Sequence, residues 1–314
     1  MEKQTLQPQS VEYFGLRRKI LASMTSESWD VTPHAGGNYE PDITDFWDTY
    51  QALRETDPRW AGITANTLML YVLVQGIIAC PAINGHTHFS CKSACGRVER
   101  YSDININMPM LLPGGGMMTM NLHNCESKSL LQLAKTVADV RRRMENTRFD
   151  DPLYGAALEY VLRQLKRGAV YVAARRFFGD RVGSCKRPPL RGQARKNYFA
   201  IPEEDRITKR DIEPGTILVT NFGSLYRGAY APPIMLDIVP PQICALGIGG
   251  VVERPGAVAA PDGGKGIALR KYIPISILFD HRAIDYGDTV PFMRRLDEIF
   301  ARPKDLAGWI RDAE

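Results

Sequence analysis

Helix-patterned and strand-patterned segments alternate along this chain, and that alternation constrains the fold more than any single motif. Leu16 to Met24 predicts a helix, and Thr64 to Cys80 predicts one that is apolar enough to be buried. Leu130, Leu133, Ala134, Val137, Val140 and Met144 recur at the helical period, begun by the polar Ser127-Lys-Ser129. A last helix is expected over Thr289 to Phe300. Strands lie between these segments. Ile104-Asn-Ile-Asn-Met108 alternates, Thr216-Ile-Leu-Val-Thr220 follows a Pro214-Gly215 turn, and Gln242 to Ile248 is a short apolar run before Gly249-Gly250. Ile273-Pro-Ile-Ser-Ile-Leu-Phe279 leads straight into Asp280-His281. Interleaved helices and strands predict an α/β sandwich with one main sheet.

With 314 residues the chain can bury a real core, as one large domain or two small ones. Its 44% hydrophobic and 24% charged residues exclude disorder, collagen and coiled coil as descriptions of the whole. Forty Lys and Arg against 35 Asp and Glu leave +5, a mild excess, so nucleic acid is not an expected partner. Six cysteines (Cys80, Cys91, Cys95, Cys125, Cys185, Cys244) in a chain too long to need stapling, with no signal-peptide core after Met1, predict reduced thiols and a cytoplasmic location. The longest apolar run, Leu68 to Ala79, is interrupted by Gln75 and Gly76 and is too short to span a bilayer.

One segment stands apart. From Asp151 to about Arg210 a helical pattern (Leu153, Ala156, Leu158, Val161, Leu162, Leu165) passes into a basic amphipathic stretch, Ala169 to Phe178. A polar segment with Pro188, Pro189, Arg191, Arg195 and Lys196 follows. A solvated insertion packed on a larger core is the plainer expectation, because basic faces commonly just meet solvent. Docking on an anionic membrane or an acidic partner is the alternative.

Two clusters of residues have the chemistry of a site. Phe279-Asp280-His281-Arg282-Ala283-Ile284-Asp285 lies between a strand and a helix, where a rigid strand end can present an imidazole and a carboxylate four residues on can orient it. A satisfied structural histidine is the alternative. Val219-Thr220-Asn221-Phe222-Gly223 ends a strand in a hydroxyl, an amide and a glycine. Such a hydroxyl can donate to a developing oxyanion; an ordinary turn uses the same residues. His86, His88, Cys91 and Cys95 lack the paired spacing of a zinc site, so no metal is expected. Pro113-Gly-Gly-Gly116 lacks the Lys-Ser/Thr of a phosphate loop and reads as a turn.

In order along the chain these segments resemble the catalytic domain of the 2-oxoacid dehydrogenase acyltransferases (dihydrolipoamide acyltransferases), which share a fold with chloramphenicol acetyltransferase. Arg17-Arg-Lys-Ile20 and Met24 resemble the family's opening helix, and Pro33-His34 followed by Asp42-Ile-Thr44 resembles its Pro-His and Asp-x-Thr strand. Cys80-Pro-Ala-Ile-Asn84 resembles its Pro-x-Leu-Asn turn. Ile104-Asn-Ile106, Gly116 and Lys128-Ser-Leu-Leu-Gln-Leu-Ala134 fall in its register, as do Pro240-Pro-Gln and Ala245-Leu-Gly247. Thr220-Asn-Phe-Gly223 resembles its Ser/Thr-Asn-x-Gly motif, and Asp280-His-Arg-x-x-Asp285 its catalytic signature. The resemblance covers about residues 11–146 and 214–312. Tyr286 stands where the family has Gly and Met120 where it has Pro, and the 151–210 segment is far longer than the family's connection.

The resemblance implies a two-layer α/β sandwich with a mixed central sheet, chloramphenicol acetyltransferase-like, as a single domain over 1–314 with a basic helical insertion at about 151–210. It implies acyl transfer from a thioester, with coenzyme A as co-substrate. His281 is then the general base and Thr220 the oxyanion donor, Asp285 is paired to a basic residue of the opening helix (Arg17 before Arg18), and Asn221 and Arg282 support the site. It implies a homotrimer, or a multiple of three, whose neighbouring subunits share each site. No lipoyl or subunit-binding domain is expected on this chain and hence no lipoyl group, so a carrier or lipoyl protein is the expected partner. A free-standing acyltransferase, the core of a dehydrogenase complex served by a separate lipoyl protein, and a non-catalytic trimeric scaffold are the three forms such a chain can take.

Overall fold

The computed structural model describes residues 8–113, 115–147, 149, 162, 165, 170, 171, 174, 192–223, 235–259 and 263–310. In chain order these form α1 (Leu16–Val31), β1 (His34–Tyr39), α2 (Thr44–Thr56), α3 (Ala65–Ala79), β2 (Gly85–Ser90), β3 (Cys95–Arg100), β4 (Ile106–Leu111), β5 (Met117–Leu122) and α4 (Leu130–Glu145). There follow α5 (Gly192–Phe199), β6 (Ile217–Asn221), β7 (Cys244–Ile248), β8 (Val252–Ala259), β9 (Lys265–Tyr272), β10 (Ile275–Asp280) and α6 (Val290–Phe300). Six strands make the main sheet in the order β1-β10-β7-β6-β4-β5. The sheet is mixed: β4, β6 and β7 run parallel, while β10 is antiparallel to both its neighbours and β5 is antiparallel to β4. Two hairpins, β2–β3 and β8–β9, stand outside it.

The inner strands β7 and β10 are buried at every position, as their near-continuous apolar sequences require of strands covered on both faces. Alternation sorts their side chains. Cys244, Leu246, Ile248, Ile275, Ile277 and Phe279 enter the large core against the helices, while Ala245 and Leu278 turn to the other face with Leu218 and Ile238. On the helical side α3 is apolar nearly all round and sits between α4 and α6. The Thr64 hydroxyl begins it by accepting from the Thr67 N–H at 3.2 Å, and a reciprocal Ser129–Gln132 capping box begins α4. The opposite face is spanned by α1, whose last turns are tied down by Ser28 Oγ donating to Ile238 O (2.8 Å) and Trp29 Nε1 donating to Asp237 Oδ1 (2.6 Å).

Helix α3 meets α6 at Gly76, where an added Cβ would fall 2.5 Å from Leu296 Cδ1 and 2.7 Å from the Phe292 ring. Gly76→Ala is therefore expected to destabilise the domain by about 1–3 kcal/mol through overpacking, despite alanine's better helix propensity, and chemical denaturation will measure it.

The expected α/β sandwich with one mixed sheet is the architecture found, with strand limits shifted by up to three residues from the sequence reading. Helix α1 continues to Val31, well past Met24. Helix α2 and the ribbon β8–β9 were not expected. Most of the basic stretch Ala169 to Phe178, Arg175 and Arg176 included, lies outside the described residues. The end of the expected insertion does not: Arg142–Asp205 and Arg143–Asp211 ion pairs fasten it to α4, and Ile207 is buried in the core. Among the described residues no helix is long and apolar enough to cross a membrane.

Candidate active site

The β10 strand ends in a turn locked by its own charges. Asp280 is fully buried and binds Arg282 through both oxygens, Nε to Oδ1 at 2.9 Å and an Nη to Oδ2 at 2.6 Å, and it also accepts the Arg282 backbone N–H at 3.0 Å. This carboxylate raises the Arg282 pKa above its ordinary value, and the guanidinium lies 5.8 Å over the Phe89 ring. The forked geometry suits a guanidinium and not an ammonium. Arg282→Ala strands a carboxylate with no exposure and is expected to cost about 3–5 kcal/mol, read as a lower unfolding midpoint, with Arg282→Lys recovering little of it.

His281, next in sequence to the buried Asp280, points outward from this fixed turn. Its backbone N–H donates to Pro33 O at 3.0 Å, which gives the Pro33-His34 pair a structural role. His34 itself is internal: Nδ1 bonds Thr32 O at 2.8 Å and Nε2 accepts the Ile238 N–H at 3.1 Å, which leaves it no free nitrogen. The His281 ring is different. Nδ1 lies 3.1 Å from Asp285 Oδ1, the ring packs edge-on against Phe279 (centroids 5.7 Å apart), and the side chain is about half exposed. A carboxylate at Nδ1 fixes the proton there and leaves Nε2 as the basic nitrogen.

Thr220 belongs to the other end of the same sheet. In register it stands beside Gly247 on β7, and Gly247 stands beside Ser276 on β10, five residues before His281. Strand rise of about 3.3 Å per residue and two strand gaps of about 4.8 Å put Thr220 and His281 roughly 20 Å apart. Alternation sets Thr220 on the α1 side with Leu218, whereas its neighbour Asn221 donates through Nδ2 to Asn66 Oδ1 (2.6 Å) at the start of α3. Asn221 thus braces the strand end that carries Thr220. His281 and Asp285 are brought together in one chain; Thr220 is not brought to them.

Within one chain Asp285 is not paired with Arg17. Its carboxylate turns to His281, and the Arg17 guanidinium lies beside Gly116, in the turn joining β4 to β5. The reason is the span of α1, which runs the length of the sheet, with its C-terminal end near His34 and its N-terminal end at the Thr220 side. Among the described residues no group of three potential ligands is placed to hold a metal. His86 bonds Gly215 O, His88 pairs with Glu99, and Cys95 donates to Ser93 O. Burial pushes the thiols of Cys80 and Cys244 up, and that of Cys125 up to about 12, which disfavours their thiolates. Sequence reasoning gave no role to Phe279 or Asp280, the supports of the imidazole; a buried-strand aromatic beside an Asp-x-Arg pair was the available signal.

The model of the 2-oxoacid dehydrogenases acyltransferase (catalytic domain) family matches residues 5–152 and 193–307. The stretch between the two matched segments is thus 153–192, shorter than the 151–210 expected as an insertion. The dihydrolipoyllysine-residue acetyltransferase component of the pyruvate dehydrogenase complex of Corynebacterium glutamicum is 20% identical over 90% of this chain, which spans 32% of that protein's length. The cubic core of a pyruvate dehydrogenase multienzyme complex superposes with a TM-score of 0.58 at 18% identity, covering 98% of this chain and 100% of the other. Dihydrolipoamide acetyltransferase of Azotobacter vinelandii does so with a TM-score of 0.59 at 17% identity, again over 98% and 100%. With most of its length matched by the family model and its mixed sheet shared with these cores, the chain belongs to the 2-oxoacid dehydrogenase acyltransferase catalytic-domain family.

Proposed function

We propose that this chain moves an acyl group between coenzyme A and a thiol of the dihydrolipoyl type carried outside these 314 residues. His281 Nε2 takes the proton from the attacking thiol, since a thiol with a pKa near 8.5 is only a few per cent thiolate at neutral pH. The thiolate attacks the thioester carbonyl, the Thr220 hydroxyl donates to the oxyanion, and the imidazolium returns its proton to the departing sulfur. Asp285 holds the imidazole at Nδ1 throughout. The relatives support this reading: the Azotobacter enzyme's mechanism involves a serine, a histidine and an asparagine, the last four residues beyond the histidine, as Asp285 is beyond His281.

The single observation that carries the proposal is the separation of His281 from Thr220 to opposite ends of one sheet. A head-to-tail ring, in which the His281 end of each copy meets the Thr220 end of the next, completes every site by a closed heterologous contact. Three copies, or a multiple of three, is the assembly the family resemblance implies. Arg17, at the Thr220 end, then approaches Asp285 of the adjoining copy and recovers the expected pairing across the interface. The test is direct: with acetyl-coenzyme A and dihydrolipoamide, S-acetyl product should form well above the protein-free rate. A rate no higher than that background with acetyl- or succinyl-coenzyme A would contradict the proposal.

A further inference from the structure

Tyr286 directly follows the Asp280-His-Arg-x-x-Asp285 signature, and it stands where the family has glycine. Its phenol oxygen meets both backbone polar groups of one residue on the edge strand, donating to Gly36 O at 3.2 Å and accepting the Gly36 N–H at 3.4 Å. Gly36 is itself pressed against β10, where a Cβ would fall 2.2 Å from Ile277 O, so the anchor is rigid. The ring stands edge-to-face on the buried Phe279 (5.1 Å, 84°) and on His281 (6.0 Å, 86°). Held at both ends, it still leaves 56% of its surface exposed beside the imidazole.

Such a ring is a wall for whatever reacts at His281. Aromatic faces favour apolar matter and gain nothing from a carboxylate. The charges on its own turn are adverse to anions as well: Asp285 and Asp288 flank Tyr286, both exposed, and the Arg282 guanidinium is engaged by Asp280. Even with Arg17 of another copy opposite Asp285, Asp288 remains.

Resting on the acyl-transfer reading above, we propose that Tyr286 is a specificity-determining residue that makes the site select neutral, apolar acyl groups over dicarboxylic ones. The ring packs against the acyl chain while the anchoring hydroxyl stays on Gly36. The test is equilibrium binding of butyryl- and succinyl-coenzyme A, by calorimetry, to the wild-type assembly and to Tyr286→Gly, Tyr286→Ser and Tyr286→Phe. The coenzyme portion is common to both ligands and cancels in the ratio of affinities. Wild type should prefer butyryl by about tenfold, the scale of a few methylenes in a shaped apolar site. Tyr286→Gly, and Tyr286→Ser if the glycine variant does not fold, should lose that preference, and Tyr286→Phe should keep it. A ratio unchanged in the Gly or Ser variant, or a wild type that shows no preference or binds neither ligand, overturns the proposal. Binding needs no turnover, so a wild type that binds selectively without transferring acyl groups sinks the acyl-transfer reading alone.

Discussion

Replacing His281 with alanine is expected to lower acyl transfer by about 10²–10⁴-fold while the domain stays folded. The size follows from the chemistry, because without a base the attacking thiol is mostly protonated at neutral pH and the departing thiolate has no proton donor. The intact fold follows from the geometry. The imidazole is half exposed and enters no core cluster, and what anchors this turn is the Asp280–Arg282 pair and the backbone bond to Pro33, all untouched by the substitution. Turnover with an active thioester, measured beside the thermal unfolding midpoint, separates the two effects. A variant that keeps most of its turnover would show that His281 is not the base.

Thr220→Val should be the next largest loss, about 10²–10³-fold in kcat with the donor's KM little changed, because an oxyanion donor acts on charge that exists only in the transition state. Valine preserves the shape of the strand end, and Asn221, bonded to Asn66, still braces it. Thr220→Ser keeps the hydroxyl and should be mild. Unchanged turnover with weaker donor binding would instead make Thr220 a ground-state contact.

What the sequence made legible was period and order. The helices with a broad apolar face, α3 and α4, and the two strands buried on both sides declare themselves, because burial on that scale leaves no other residues to choose from. Helix α2 turns Phe46, Trp47, Tyr50 and Leu53 to the core, a stripe interspersed with three acidic residues. The β8–β9 ribbon inverts the usual signal. Its apolar Ile267 and Leu269 face outward, while Gly256, Ala268 and Arg270 are the more covered, so alternation points the wrong way. At the site, the sequence brings His281 and Asp285 together by spacing, but no local pattern reports that register sets Thr220 at the far end of the sheet. Nor could spacing show that α1 takes Arg17 there too, since that depends on the helix running to Val31.

The most direct test of the shared site is complementation between two inactive chains. His281→Ala and Thr220→Val subunits, each inactive alone, are mixed in equal amounts under denaturing conditions, reassembled, and assayed for transfer from acetyl-coenzyme A. In a head-to-tail ring, a site is whole when the chain giving the histidine carries Thr220→Val and the chain giving the threonine carries His281→Ala. Random mixing makes that combination in about a quarter of the sites, so about a quarter of wild-type activity should return. Activity no higher than the sum of the two variants assembled separately would mean that both residues serve within one chain, and the shared site would be wrong.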